Sequence, residues 1–117
     1  MTRILIIVQR WWKTITVLTF VAITMLSLWP VATLPAVPGS DKTHHFIAYT
    51  ALMFPVALRQ PRYWIMLGIF FVIWSGMIEL IQPYVNRYGE WQDMLANTAG
   101  ITLGLLAGIL IKARRLV

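Results

Sequence analysis

Four long apolar runs, separated by short segments that hold most of the charge, dominate this chain. Charged residues make up only 12% of its 117 residues, and hydrophobic residues make up 59%. An ordinary soluble domain has about 25% charged residues. A small domain buries the smallest share of its surface, so it cannot hide this many apolar side chains in its own core. Lipid must therefore surround much of the chain, and the sequence predicts an integral membrane protein.

The runs predict four transmembrane helices in one domain that covers residues 1–117. About 20 apolar residues cross the hydrocarbon core of a bilayer. The second run is the weakest candidate, because it is short, contains Pro55 and starts with two histidines. The residues before the first run, Ile4 to Val8, either lie on the membrane or extend the first helix. We expect an all-α fold, a four-helix membrane bundle with helices at roughly 14–34, 43–58, 63–82 and 94–111.

Two other interpretations of the apolar runs are weaker. A cleaved signal peptide also combines a basic start with an apolar region. The sequence around Ala32 to Ala36 is rich in proline, however, and makes a poor cleavage site. A soluble four-helix bundle needs polar faces at helical spacing, which the third and fourth runs lack.

Basic residues divide unevenly between the two ends of the predicted bundle. One end has two basic residues and three acids, and the other has eight basic residues and no acid. The positive-inside rule then places both termini in the cytoplasm. Because the basic residues are scattered between apolar runs, the net charge of +6 indicates topology, and we expect no nucleic-acid partner. The eight are Arg3, Arg10, Lys13, Arg59, Arg62, Lys112, Arg114 and Arg115.

This topology brings polar residues from two loops and three helices to the outer face of the membrane. Asp41, His45 and Tyr49 recur at four-residue spacing, so they share one face of a helix. Pairs three or four residues apart on the other two helices also share a face. Each of the three helices therefore presents a polar stripe to a shared cavity just below the outer interface. The set comprises Asp41, Lys42, His44, His45, Tyr49, Glu79, Gln82, Arg87, Asp93 and Asn97.

The chemistry of these side chains suggests their roles. Glu79 lies about one turn inside the membrane, where an ionisable group is costly and by default suggests function. Together with His45 and Asp93 it forms the candidate catalytic set, since histidine titrates near neutral pH. Arg87 has a planar fork suited to phosphate or carboxylate. The candidate binding residues are Asp41, Lys42, His44, Tyr49, Gln82, Arg87 and Asn97.

Structural roles for some of these residues stay open. Glu79 and Arg87 could form an ion pair, and Asp93 could cap the start of the fourth helix. Asn97 could form a hydrogen bond between helices. The chain has no cysteine, no ligand-spaced metal motif such as HExxH and no nucleotide fingerprint. We therefore expect neither a metal nor a cofactor.

The fourth helix contains small residues at a strict four-residue spacing. They are Ala96, Gly100, Gly104 and Gly108. Small residues at this spacing let helices pack backbone to backbone in lipid. We favour a partner helix in the same chain, because a protein of this size first needs packing within itself. The alternative is a homo-oligomer formed through Gly100, Gly104 and Gly108.

The ordered combination of polar residues resembles the VanZ-like family of small membrane proteins. The resemblance covers about residues 41–108. The chain departs from the family pattern in a short loop between Gln82 and Arg87. It also has Trp91-Gln92 before Asp93, where the family often has a serine two residues earlier. The combination is Asp41-Lys42, His45-Phe46, Tyr49, Glu79-x-x-Gln82, Arg87 and Asp93-x-x-x-Asn97-x-x-Gly100.

The resemblance implies a multi-pass protein of the bacterial inner membrane. The family is named for an accessory protein of glycopeptide resistance that lowers sensitivity to teicoplanin, a lipid-tailed antibiotic. One expected function is binding of a lipid-linked envelope precursor or a lipoglycopeptide by its headgroup. The other is an enzyme that hydrolyses or transfers a group on a lipid-linked phosphate, with Glu79 and His45 as acid and base and Arg87 stabilising charge. A transporter is third, since four short helices leave little room for alternating access.

A single introduced cysteine tests the predicted orientation, since the chain has none of its own. Gly39→Cys lies in a loop assigned to the outer side, so it should react with a membrane-impermeant maleimide added to intact cells. Gln60→Cys, in the opposite turn, should react only after lysis. The reverse labelling pattern would overturn the orientation.

Overall fold

The computed structural model describes residues 2–29, 41–85 and 91–114, apart from the side chains of residues 41, 85 and 91. All secondary structure in this part of the chain is helical. The all-α class predicted from the sequence is therefore confirmed. The helices are α1 (Thr2–Arg10), α2 (Trp12–Ser27), α3 (Asp41–Arg59), α4 (Trp64–Ile81) and α5 (Trp91–Ala113), with a 3-10 turn at Gln82–Val85.

The start of the chain forms a separate helix. The described residues therefore contain five α-helices, whereas the sequence predicted four. α1 and α2 are bent by 76° relative to each other around Trp11. The bend means that residues 4–8 do not continue straight into α2, and their place on the membrane surface stays a prediction. The helix expected over 14–34 begins earlier and ends at Ser27. Pro30 follows its C-cap residue, Leu28, by two positions, where proline commonly follows a helix that it cannot continue.

Length and hydropathy single out two described segments as able to cross a membrane. They are Trp64–Tyr84 and Gln92–Ala113, and the bent α1–α2 pair adds a third if it forms one span. α3 does not meet the same criterion, although it is 19 residues long. The chain therefore has helices fit for a membrane, and the bundle of four spans with cytoplasmic termini stays a prediction.

α3 is the buried centre of the fold. The four other α-helices all contact it. Because its neighbours cover it, its surface does not need to be as compatible with lipid as that of α4. This explains why α3 is the less apolar of the two helices. Its most buried side chains, each at most 1% exposed, are Leu52, Met53, Val56, Ala57 and Leu58.

The described structure exposes apolar side chains and buries polar ones. α2, α4 and α5 present large hydrophobic residues outward, among them Leu18, Met66 and Leu110. A water-soluble protein rarely exposes continuous apolar surface over three helices. The surface therefore suits lipid as its solvent. The buried polar residues are Thr16, Ser27, Ser75, Gln82, Asp93 and Asn97.

Glycines allow α5 to pack directly against α3 of the same chain. A Cβ atom added at Gly104 would lie 2.6 Å from the carbonyl oxygen of Thr50, and one at Gly108 would lie 2.5 Å from Ala57 Cβ. A Cβ at Gly100 would collide with the backbone of Phe46. Only glycine permits this approach, so α3 is the partner helix of the small-residue face. A homo-oligomer through Gly100, Gly104 and Gly108 stays a prediction.

One end of the fold gathers α1, the C-termini of α3 and α5, and the start of α4. Gln9 Nε2 donates a hydrogen bond to the Leu58 carbonyl at 2.9 Å, and Lys112 Nζ donates one to the Arg59 carbonyl at 3.1 Å. α3 terminates at Gln60, whose φ of 52° is the left-handed conformation common after helices. We call this end, which contains Arg10, Lys13, Arg59, Arg62 and Lys112, the basic end.

The other end, which we call the polar end, gathers the C-termini of α2 and α4 and the N-termini of α3 and α5. Gln82 Nε2 donates a hydrogen bond to the Ser27 carbonyl at 3.1 Å and so joins α4 to α2. Contacts at both ends show that α2 to α5 alternate in direction, so α3 and α5 run parallel. Their aligned dipoles favour negative charge at the polar end and positive charge at the basic end. Asp93 and Lys112 of α5 follow this rule.

Alanine substitutions at two glycines test the contact between α3 and α5. Alanine favours a helix over glycine by about 1 kcal/mol. Gly68→Ala should therefore keep or raise the midpoint of thermal unfolding in detergent. The added Cβ would lie 3.4 Å from Met53 Cε, which is an ordinary van der Waals contact. Gly104→Ala should lower that midpoint, since overpacking costs about 1–3 kcal/mol. Equal midpoints for the two variants would contradict the close contact.

Candidate functional site

Most of the polar residues singled out in the sequence meet at the polar end. Tyr49 of α3, Gln82 after α4, and Asp93 and Asn97 of α5 are each between 1% and 6% exposed. Three elements therefore contribute buried polar side chains to one region. Buried polar groups are nearly always hydrogen-bonded, so the partners of these side chains are informative.

One contact between predicted site residues joins α3 to α5. His45 Nδ1 lies 2.9 Å from Asn97 Oδ1. A carboxamide oxygen only accepts hydrogen bonds, so with the amide oriented as in the structure Nδ1 of His45 donates. In that arrangement Nδ1 carries a proton, and Nε2 is the other ring nitrogen. The sequence predicted that His45 rather than His44 shares a face with Tyr49, and His45 is the histidine that contacts Asn97.

A second contact between the same two helices is an ion pair. Lys42 Nζ lies 3.8 Å from Asp93 Oδ1, beyond hydrogen-bond distance but within range of charge attraction. The Lys42 side chain is 49% exposed, whereas that of Asp93 is 9% exposed. Asp93 lies in the first turn of α5, which begins at Trp91, so it is not the N-cap of this helix. In this pair, the partly exposed ammonium group of Lys42 lies next to the buried carboxylate of Asp93.

α4 contributes Glu79 and the following 3-10 turn contributes Gln82. Glu79 is half-buried on α4. The Tyr49 hydroxyl and Gln82 Oε1 are both buried, and neither has a hydrogen-bond partner among the described residues. The polar end thus contains one donor-acceptor hydroxyl and one amide oxygen whose hydrogen-bonding capacity the described residues do not use.

One predicted site residue and the side chain of another lie outside the described part of the chain. Arg87 belongs to the segment 86–90, so the predicted ion pair between Glu79 and Arg87 lies outside it as well. The side chain of Asp41 is likewise not described, and His44 is half-buried on α3. Within the described ranges, no three histidine, aspartate or glutamate residues come close enough together to hold a metal ion.

The sequence did not predict that α2 takes part in the polar end. Its contribution is the backbone carbonyl of Ser27, which accepts the hydrogen bond from Gln82. Every residue has a backbone carbonyl, so the sequence cannot indicate which carbonyl accepts this hydrogen bond. The fold shows that it is the carbonyl of Ser27. A further contact between α2 and α4, from Trp74 Nε1 to Thr24 Oγ1 at 3.0 Å, holds the two helices together nearby. In the sequence, only the presence of a tryptophan and a threonine within apolar runs indicates this hydrogen bond.

Comparison with known proteins relates the chain to a described family. A family model described as VanZ/LLP1 matches residues 2–112. The match covers nearly the whole chain and so extends beyond the polar motifs to α1 and α2. Neither a curated protein sequence nor a solved structure matches the chain significantly.

A double-mutant cycle tests the contact between His45 and Asn97. Asn97→Leu and His45→Phe should each lower stability in detergent, because each leaves a buried polar group without its partner. The double variant should be less destabilised than the sum of the single variants, by about 0.5–1.5 kcal/mol. The stability of the three variants is measured by thermal unfolding, with tryptophan fluorescence as the signal.

The control for this cycle is Thr102→Val on the same helix. The Thr102 hydroxyl is exposed and bonds only to the Thr98 carbonyl of α5. The stability of this variant should therefore be close to that of the wild type. When it is combined with His45→Phe, the two changes in stability should add. Additive effects of Asn97→Leu and His45→Phe would show that the two side chains do not interact.

Proposed function

Because the chain belongs to the VanZ/LLP1 family and is a membrane protein of that kind, we propose that its polar end binds a lipid headgroup. The ligand is a lipid-linked envelope component or a lipoglycopeptide. In this proposal the polar end faces the outer side of the bacterial inner membrane, which the chain crosses several times. Both termini then lie in the cytoplasm.

The observation that carries this proposal is the pair of buried polar atoms at the polar end. The Tyr49 hydroxyl can donate to a phosphate or carbonyl oxygen, and Gln82 Oε1 can accept from an amide or a sugar hydroxyl. Neither atom has a partner among the described residues. Lipid-linked envelope precursors and lipoglycopeptides contain groups of both kinds. A buried donor and acceptor that match the ligand give selectivity against lipids that lack either group.

Charge and apolar surface at the same end support a tethered, partly anionic ligand. Lys42 is partly exposed beside Asp93, and His45 lies on the same helix as Lys42. Arg87 adds a second cation in the proposal, since its fork suits phosphate. The exposed side chains of Met77 and Leu80 lie on the helix that contains Glu79. They give an acyl chain an apolar surface next to the polar residues that bind its headgroup.

The alternative is an enzyme that hydrolyses or transfers a group on a lipid-linked phosphate. The contact between Asn97 and His45 favours it, because a catalytic base is commonly oriented by a third group. In this scheme His45 and Glu79 share the acid and base roles, and Arg87 stabilises charge that develops on phosphoryl oxygens. Asp93 is the remaining candidate catalytic carboxylate, and Lys42 lies beside it.

Mass spectrometry of the lipids retained by the purified protein tests the binding proposal. Tyr49→Phe removes one buried hydroxyl without changing the packing of the ring. It should lower retention of the headgroup-bearing lipid about fivefold, the value of one hydrogen bond. Arg87→Ala should lower it as well. The matched control is Tyr63→Phe, which removes an exposed hydroxyl near the basic end and should change nothing. The same lipid complement in all four proteins would refute the proposal.

The same measurement on Glu79→Gln and His45→Ala separates binding from catalysis. An enzyme with either change would accumulate its lipid substrate, in the membrane and on the purified protein. A binding protein would leave the lipid composition of the membrane unaltered and lose only retained ligand. An unchanged membrane profile in both variants excludes the enzyme.

A further inference from the structure

A groove opens at the basic end, at the bend between α1 and α2. Its larger cavity, of about 590 Å3, adjoins a second of about 280 Å3. Arg10, Trp12 and Arg59 line both cavities, and the second extends along α1 to Ile6 and Gln9. We call the two cavities together the elbow groove. The larger is lined by Arg10, Trp11, Trp12, Lys13, Thr14, Arg59 and Pro61.

The elbow groove is cationic, and none of the described residues that line it is acidic. Its lining includes Arg10, Lys13 and Arg59 and no acidic residue. The described acidic side chains, Glu79 and Asp93, belong to α4 and α5 near the polar end. Arg10 and Arg59 are exposed and form no ion pair within the described residues. The described part of the chain thus leaves the positive charge of the groove open to an anion from outside.

The geometry of α1 places the groove at the level of lipid headgroups. α1 is bent by 76° from α2, and its exposed residues include Ile4 and Ile7 as well as Arg3. A short helix with apolar and basic residues at such an angle lies in the membrane interface. Trp11 and Trp12 at the bend are the residue type that concentrates at this level. The anion nearest to the groove is therefore the phosphate of a lipid in the same leaflet.

We infer that the elbow groove binds the headgroup of an anionic phospholipid. The guanidinium groups of Arg10 and Arg59 bind the phosphate, since arginine forks match phosphate oxygens. Lys13 adds a third positive charge, and Ile6 lines the side along which the acyl chain leaves. This site lies at the opposite end of the fold from the polar end. It is therefore independent of the proposed function.

Such a lipid joins parts of the chain that are distant in sequence. Arg10 ends α1, whereas Arg59 ends α3. The hydrogen bond from Gln9 to the Leu58 carbonyl already links these two helix ends. A phosphate between Arg10 and Arg59 adds a second link on the lipid side. A ligand that binds only the folded state stabilises it, so the lipid fixes α1 against the core.

Native mass spectrometry of the full chain in neutral detergent tests the inference with phosphatidylglycerol and phosphatidylcholine as competing probes. The wild type should retain phosphatidylglycerol in preference. R10Q/R59Q should weaken phosphatidylglycerol retention about 30-fold, because two surface cations are lost. The matched control R3Q/R114Q removes the same charge outside the groove and should retain the lipid as the wild type does. Excess inorganic phosphate should not displace the lipid.

Three results would overturn the inference. Equal losses in R10Q/R59Q and R3Q/R114Q would show that net charge alone attracts the lipid. Displacement by inorganic phosphate would assign the groove to a soluble anion. No loss in R10Q/R59Q would place the lipid elsewhere. The variant R10K/R59K guards against a folding defect, because it keeps the charge; it should retain more phosphatidylglycerol than R10Q/R59Q and less than the wild type.

Discussion

The close contact between α3 and α5 sets the geometry of the rest of the fold. Gly100 lies against the backbone of Phe46 and Gly104 against that of Thr50, which fixes the two helices in one parallel register. In that register His45 faces Asn97, and Lys42 comes within reach of Asp93. A shift of one helical turn would move these side chains about 5.4 Å apart along the axis and separate both pairs. The polar end therefore depends on the packing of three glycines that carry no chemistry themselves.

The sequence predicted those features that depend on residue type and spacing. The excess of apolar residues indicated that lipid surrounds the chain. In agreement with this, α2, α4 and α5 expose large hydrophobic side chains. Four-residue spacing on α3 singled out His45 over His44, and His45 contacts Asn97. The small residues on α5 indicated close helix packing within the chain, and α3 is the partner. In each case a local pattern was enough, because the period of a helix fixes which side chains share a face.

Features that arise between distant segments could not be predicted in this way. The bend at Trp11 has no proline or glycine to mark it, so the sequence does not decide whether residues 4–8 extend the first helix or lie on the membrane. The role of the Ser27 carbonyl depends on where Gln82 lies in the fold. The elbow groove forms only because Arg59 comes next to Arg10, and in the sequence both residues indicated topology alone. The central place of α3 was also hidden, since hydropathy made it the weakest span.

The burial of α3 has a consequence for how the chain is made. Residues 41–59 leave the ribosome before residues 91–113, which supply the helix that covers them most closely. A newly made α3 can contact α1 and α2, but the helix that approaches it most closely does not yet exist. The closest helix contact of the fold therefore forms only after α5 has been made.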